Sequence, residues 1–248
     1  MSLAFSDTTN KDGIIQGIER ALFGANGDAK ISGSTTFLAM FTADINIALD
    51  RAFHLIFEAD GRWQFDDRNH TDYPIITTNL VKSQRDYSFT TDANSNLILG
   101  VHKVLVANDD AVFQEMVPVD QQRDSGTIGF WDGQNTEGVP TRYDKTANGI
   151  FLDPIPSYNE TNGLKVYISR EASYFTTADT TKQPGFAGLY HEYLVLRPAW
   201  QYAYRNNLAN AVALRDEMLR MEQSLVEYYR RRAEDDHSAI TPSKIHHV

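Results

Sequence analysis

Apolar residues recur along this chain with two different periods, and the change from one to the other divides it. Ile14, Ile15, Ile18, Ala21 and Leu22 return at helical spacing and Gly24 closes the run, which predicts a helix over residues 10–23. Residues 1–9 show no period and are expected to fray. Gly24 to Thr36 is rich in Gly, Asn, Asp and Ser and reads as loop; no Gly-Lys-Ser/Thr follows its glycines, so it is not a phosphate-binding loop. Phe41, Ile45, Leu49, Ala52 and Ile56 then line one side of a second helix, 37–58, which Asp60-Gly61 stops just before Trp63.

Beyond Trp63 the pattern shortens. Ile75 to Thr78, Tyr87 to Thr91, Leu97 to Val106, Val112 to Val119 and Val139 to Tyr143 are β-branched or aromatic runs between polar breaks. Gly149 to Pro156 reads as a strand ended by two prolines, and Asn162-Gly163 signals a turn before a last strand, Leu164 to Ile168. Helical spacing returns with Tyr193, Leu196, Trp200 and Tyr204, one turn after Leu189, and predicts a helix over 187–206 that Pro198 should kink or divide. A final helix, 209–233, carries Leu214, Met218, Met221, Leu225 and Tyr228 as one stripe; at about 1.5 Å per residue it is about 37 Å long. A helix that long needs a large surface to lie on.

These patterns predict an α+β fold: a helical bundle (10–23, 37–58, 187–206, 209–233) with a β-rich insertion between its second and third helices. The expected divisions are 1–63 (helical), 64–183 (β-rich), 184–234 (helices completing the bundle) and 235–248, an extended tail without apolar period that is ordered only against a partner. In the segment 120–138, four glycines surround Phe130 and Trp131, which either tuck under the loop or form an interface tip.

Composition changes this picture little. The 248 residues are 42% hydrophobic and 23% charged, an ordinary globular balance with enough chain for a substantial core. No apolar run approaches a membrane span and the start is too polar for a signal peptide, so no membrane partner is expected. There is no cysteine, hence no disulfide or thiolate metal site, which fits a reducing cytoplasm. Charge is more informative: the net is −10, and residues 108–160 hold ten acids against three bases. That is either a solvated surface or one from which DNA phosphates are repelled, and it argues against a general nucleic-acid binder.

Catalytic and metal motifs are not found. His191-Glu192 starts like a zinc-protease helix, but Val195 stands where the second histidine must be. His237, His246 and His247 lack companion ligands. Asp66-Asp67 and Asp109-Asp110 are adjacent pairs, which do not guarantee two carboxylates across a cleft. No catalytic, cofactor-binding or metal residues are therefore assigned. A rival class is a carbohydrate-binding or carbohydrate-hydrolysing β-domain protein using Trp63, Trp131 and the acid pairs.

Three blocks follow one another in order: the early helix pair with Asp44-Ile45-Asn46-Ile47-Ala48 and Trp63; Gly149 to Pro156 followed by Leu164 to Ile168; and Tyr190-His191-Glu192-Tyr193-Leu194 after a Thr/Asp/Pro-rich linker, 176–184. Together they resemble the head-to-tail adaptor (connector, or neck) proteins of short-tailed bacteriophages. The resemblance covers residues 10–232. It implies a non-enzymatic virion protein, made in the host cytoplasm, that forms a ring of twelve copies beneath the portal. Such a ring extends the channel through which double-stranded DNA passes without sequence-specific binding, and it receives the tail nozzle or tube. It also implies portal contacts from the C-terminal end, for which Arg230, Arg231, Arg232, Ile240, Pro242, Ile245 and Val248 are the candidates here. Another tail or baseplate role is the alternative within the same class.

Overall fold

The computed structural model describes residues 2–24, 27–61, 75–91, 95, 97–120, 136–146 and 149–235. The fold is α+β, and the chain divides into two compact units, one made of residues 1–63 with 174–248 and the other of residues 64–173.

The first unit holds the helices found among the described residues: α1 (Ile14–Phe23), α2 (Thr35–Ala59), α3 (Tyr193–Arg205) and α4 (Ala211–Asp235). The first helix starts later than its periodicity suggests. The Asp7 carboxylate accepts from the Thr9 and Asn10 amides and winds residues 7–10 into a turn, so helical geometry begins only at Ile14. It ends at Gly24, whose φ of 61° suits a residue without Cβ. Ser34 caps α2 by accepting from the Phe37 amide, and all five residues of the expected stripe, Phe41, Ile45, Leu49, Ala52 and Ile56, are fully buried.

The third helix packs against α1, α2 and α4, and α2 also packs against α4. Because α3 has neighbours on three sides, its buried residues are not one face: Tyr193 to Leu196, Ala199 and Ala203 are buried, whereas Tyr204 is exposed. The helix runs undivided through Pro198, and a separate 3-10 turn, Gly188–Tyr190, precedes it. Residues 2–7 are not frayed. The Phe5 and Ser6 amides donate to the carbonyls of Lys182 and Thr180, those of Ile14 and Ile15 donate to Ala4 and Phe5, and Phe5 is fully buried on the Phe175 ring at 4.9 Å. The segment that reads as a linker, 176–184, is the surface on which this arm lies.

In the second unit, strands β1 (Ile75–Leu80), β10 (Glu160–Arg170), β3 (Ile98–Ala107) and β4 (Phe113–Glu115) form one antiparallel sheet in that spatial order. A second sheet orders β2 (Asp86–Ser88), β8 (Gly149–Asp153), β7 (Arg142–Lys145) and β5 (Val117–Pro118), and β6 (Glu137–Gly138) pairs with β9 (Ile155–Pro156). Val104 and Val106 of β3, Leu164, Val166 and Ile168 of β10, Tyr143 of β7 and Ile150 and Leu152 of β8 meet in one core, so the two four-stranded sheets face each other. Lys165 and Tyr167 alternate to the other side of β10, where Lys165 Nζ lies 3.8 Å from the Phe113 ring centre. The Asn162-Gly163 turn expected from sequence is instead a distortion inside β10. Register slips between Thr78 and Leu80, Asn162 takes a φ of 55°, and its amide donates to the Asn79 side chain. A side-chain acceptor on the facing strand thus keeps the ladder running through residues that alone favour a reversal.

Candidate assembly surface

The last helix spends one side on the interior. Met218, Leu225 and Tyr229 are buried, and Leu214 and Met221 are half-buried along the same line. Tyr228, which sequence spacing puts in this stripe, is 40% exposed at its edge, against the rings of Tyr190 and Tyr229. Tyr229 takes the interior place because its hydroxyl accepts the Ala187 amide at 3.0 Å. Residues 225 to 228 and 225 to 229 are both permissible helical steps, but Tyr229 projects within about 20° of buried Met218 and Tyr228 about 80° away, and the bond to Ala187 adds to that difference.

Beside the stripe lies a polar cluster that sequence reasoning missed. The Tyr193 hydroxyl donates to Glu222 Oε1 at 2.6 Å, Arg197 Nη1 lies 3.5 Å from the same oxygen, and Arg51 Nε lies 3.8 Å from it. One carboxylate therefore ties α2, α3 and α4 together. Burial, reinforced by the bond to Glu222, holds the Tyr193 phenol well above its ordinary pKa, so it stays a donor. The available signal was Glu222 itself, a charged residue one step after Met221 in an apolar stripe. Asp44 is a second such group. Burial raises its pKa against the opposing effect of Arg205, and its Oδ2, 4.0 Å from Arg205 Nη1, makes no hydrogen bond among the described residues.

Asn46, inside the Asp44 to Ala48 block, clamps the returning chain: its side chain donates to the Phe175 carbonyl and accepts the Phe175 amide, both at 2.9 Å. His191 is structural. Its buried ring accepts the Leu3 amide on Nδ1 at 3.0 Å and bonds the Phe186 carbonyl through Nε2 at 2.9 Å. Burial pushes its pKa down, against the Phe186 carbonyl, which acts to raise it.

Arg230 and Arg231 are exposed near the end of α4, with Arg231 4.0 Å from Glu227. Arg232 belongs to the same helix, and its side chain lies outside the described residues, as do Ile240, Pro242, Ile245 and Val248, the loop pair Phe130 and Trp131, Trp63, the tail histidines and Asp66-Asp67. Asp109-Asp110 sits in an exposed turn, where the Asp110 amide donates to Asn108 Oδ1 at 3.0 Å. Among the described residues no three His, Asp or Glu side chains group to hold a metal, and no helix is long and apolar enough to cross a membrane. The sequence matches no model of a known protein family and no curated protein.

Proposed function

We propose that this chain is a structural head-to-tail adaptor of a short-tailed phage: a helical bundle interrupted by a β-rich insertion, repeated as a ring beneath the portal. The observation that carries this reading is the apolar surface the helical unit leaves uncovered. Ile47, Leu189, Tyr204, Val212, Leu219 and Tyr228 are all exposed, although the same helices bury a well-packed interior. Single exposed apolar residues are ordinary, and only a contiguous patch calls for a partner; this reading takes these six as parts of surfaces that other chains cover. The order of the three sequence blocks is what points this reading to that family. In this reading Arg230, Arg231 and Arg232 with Ile240, Pro242, Ile245 and Val248 meet the portal, the nozzle or tube docks below, and the acidic β-region keeps passing DNA from adhering.

The test is to mix the purified chain with a short-tailed phage portal ring and image the product by electron microscopy. A disc of repeated copies on the portal's lower face is the expected result. A portal that stays bare at high adaptor concentration overturns the proposal. A monomer in the absence of portal is compatible with assembly on the portal as template.

A further inference from the structure

We propose that Asn162 is a site of spontaneous covalent modification in the folded protein. Its side-chain amide is lost to attack by the Gly163 backbone nitrogen, and the residue passes through a succinimide to aspartate or isoaspartate.

This reaction asks three things of a chain. The residue after the asparagine must put no Cβ in the way of the closing ring, the asparagine side chain must reach water, and the backbone between them must not be held extended by neighbouring strands. Gly163 meets the first requirement. Asn162 meets the second: it is exposed, and its side chain makes no hydrogen bond among the described residues. The third is unusual inside a strand, and β10 meets it at this point. Its pairing with β1 stops at Leu164, opposite Thr78, and resumes at Glu160, opposite Leu80. Its pairing with β3 runs from Arg170 only as far as Leu164. Thr161, Asn162 and Gly163 thus have no residue in register on either neighbour.

Within that gap the chain turns on itself. Asn162 takes a φ of 55°, and Gly163 is buried so closely against Glu160 that a Cβ on it would lie 2.7 Å from that of Glu160. The one bond that fixes the kink, from the Asn162 amide to Asn79 Oδ1 at 2.9 Å, holds the nitrogen before the asparagine and leaves its side chain to solvent. The other described asparagines of this unit differ on both counts. Asn79, Asn108 and Asn159 each use the side-chain oxygen as an acceptor, and none of them precedes glycine.

In the step itself the Gly163 nitrogen bonds to Asn162 Cγ and the bond from Cγ to Nδ2 breaks. The Gly163 amide proton, removed by base, leaves with Nδ2 as ammonia. Solvent water then opens the ring at either carbonyl, giving aspartate or isoaspartate. Both products place a new carboxylate two residues from Glu160, and isoaspartate also lengthens the main chain by one carbon where β1 and β10 change register. Either change loosens the hold of β10 on the end of β1. The step is independent of the adaptor reading.

The test ages the full-length protein in mildly alkaline buffer, folded and in urea, and follows the peptides covering each asparagine by mass spectrometry. The expected result is conversion at Asn162 in the folded protein, severalfold ahead of Asn79, Asn108 and Asn159. Asn162 still intact in the folded protein when the unfolded chain has converted overturns the proposal, as does conversion at Asn162 no faster than at those three.

Discussion

Replacing Tyr229 with phenylalanine removes one oxygen, yet it leaves the Ala187 amide without its acceptor. The expected cost is about 1–3 kcal/mol, rising to about 3–5 kcal/mol for Tyr229→Ala, which also opens a cavity. Tyr228→Ala, one position away, loses exposed ring contacts and should cost about 1 kcal/mol. Urea unfolding midpoints would separate the three, and equal losses at 228 and 229 would show that the stripe is misassigned. His191 carries a second prediction. Its folded pKa lies below the unfolded value of 6.5, so the unfolded chain takes up a proton that the folded chain refuses. Stability is therefore whole above pH 6.5 and falls as pH drops toward the folded pKa. Melting temperature should decline between pH 7 and pH 5, and His191→Gln should flatten that part of the curve; an unchanged slope would exclude His191 as its source. Asp44 has the opposite sign, since its raised pKa makes the charged form a liability at neutral pH. Asp44→Asn should raise the melting temperature at pH 7. None of these roles was legible in the sequence, because each depends on a partner far along the chain. The buried stripe residues of α2 were legible because period alone fixes them.

At the scale of elements, the N-terminal arm is the largest departure from what periodicity suggests. Residues 2–7 have too few apolar positions to show a period, and what holds them is backbone pairing with residues 180–182 and with Ile14 and Ile15, the Leu3 amide's bond to His191, and the buried Phe5 ring. Phe5→Ala should destabilise the helical unit by about 3–5 kcal/mol, read as a fall in the unfolding midpoint. A midpoint within error of wild type would mean that the arm only decorates the unit. The strands show the converse. Their runs were visible as β-branched stretches, while Asn162-Gly163 misled because local turn preference was outweighed by the long pairing of β10 with β1 and β3. Pro198 misled in the same way: with α3 packed on three sides, one missing hydrogen bond does not divide it.

For the whole molecule, if the proposed adaptor role holds, removing residues 236–248 should leave melting unchanged and abolish portal binding; truncated protein that still docks would move the proposed portal contact elsewhere. The helix-to-strand-to-helix order was visible in the change of period near residue 63. The point of return was not, because Tyr174 to Pro184 lacks any period and joins the helical unit through Asn46, Phe5 and Lys182. That the helical unit is drawn from both sides of residues 64–173 also dictates a timetable for synthesis. On the ribosome, α1 and α2 emerge early with their stripes uncovered, and the contiguous 64–173 segment can collapse first. The first two helices must then wait until translation has passed Tyr229 before α3 and α4 can enclose them. A nascent chain stalled anywhere between residues 60 and 190 presents bare aliphatic helices to its surroundings, and it is at this stage that the protein would draw chaperones.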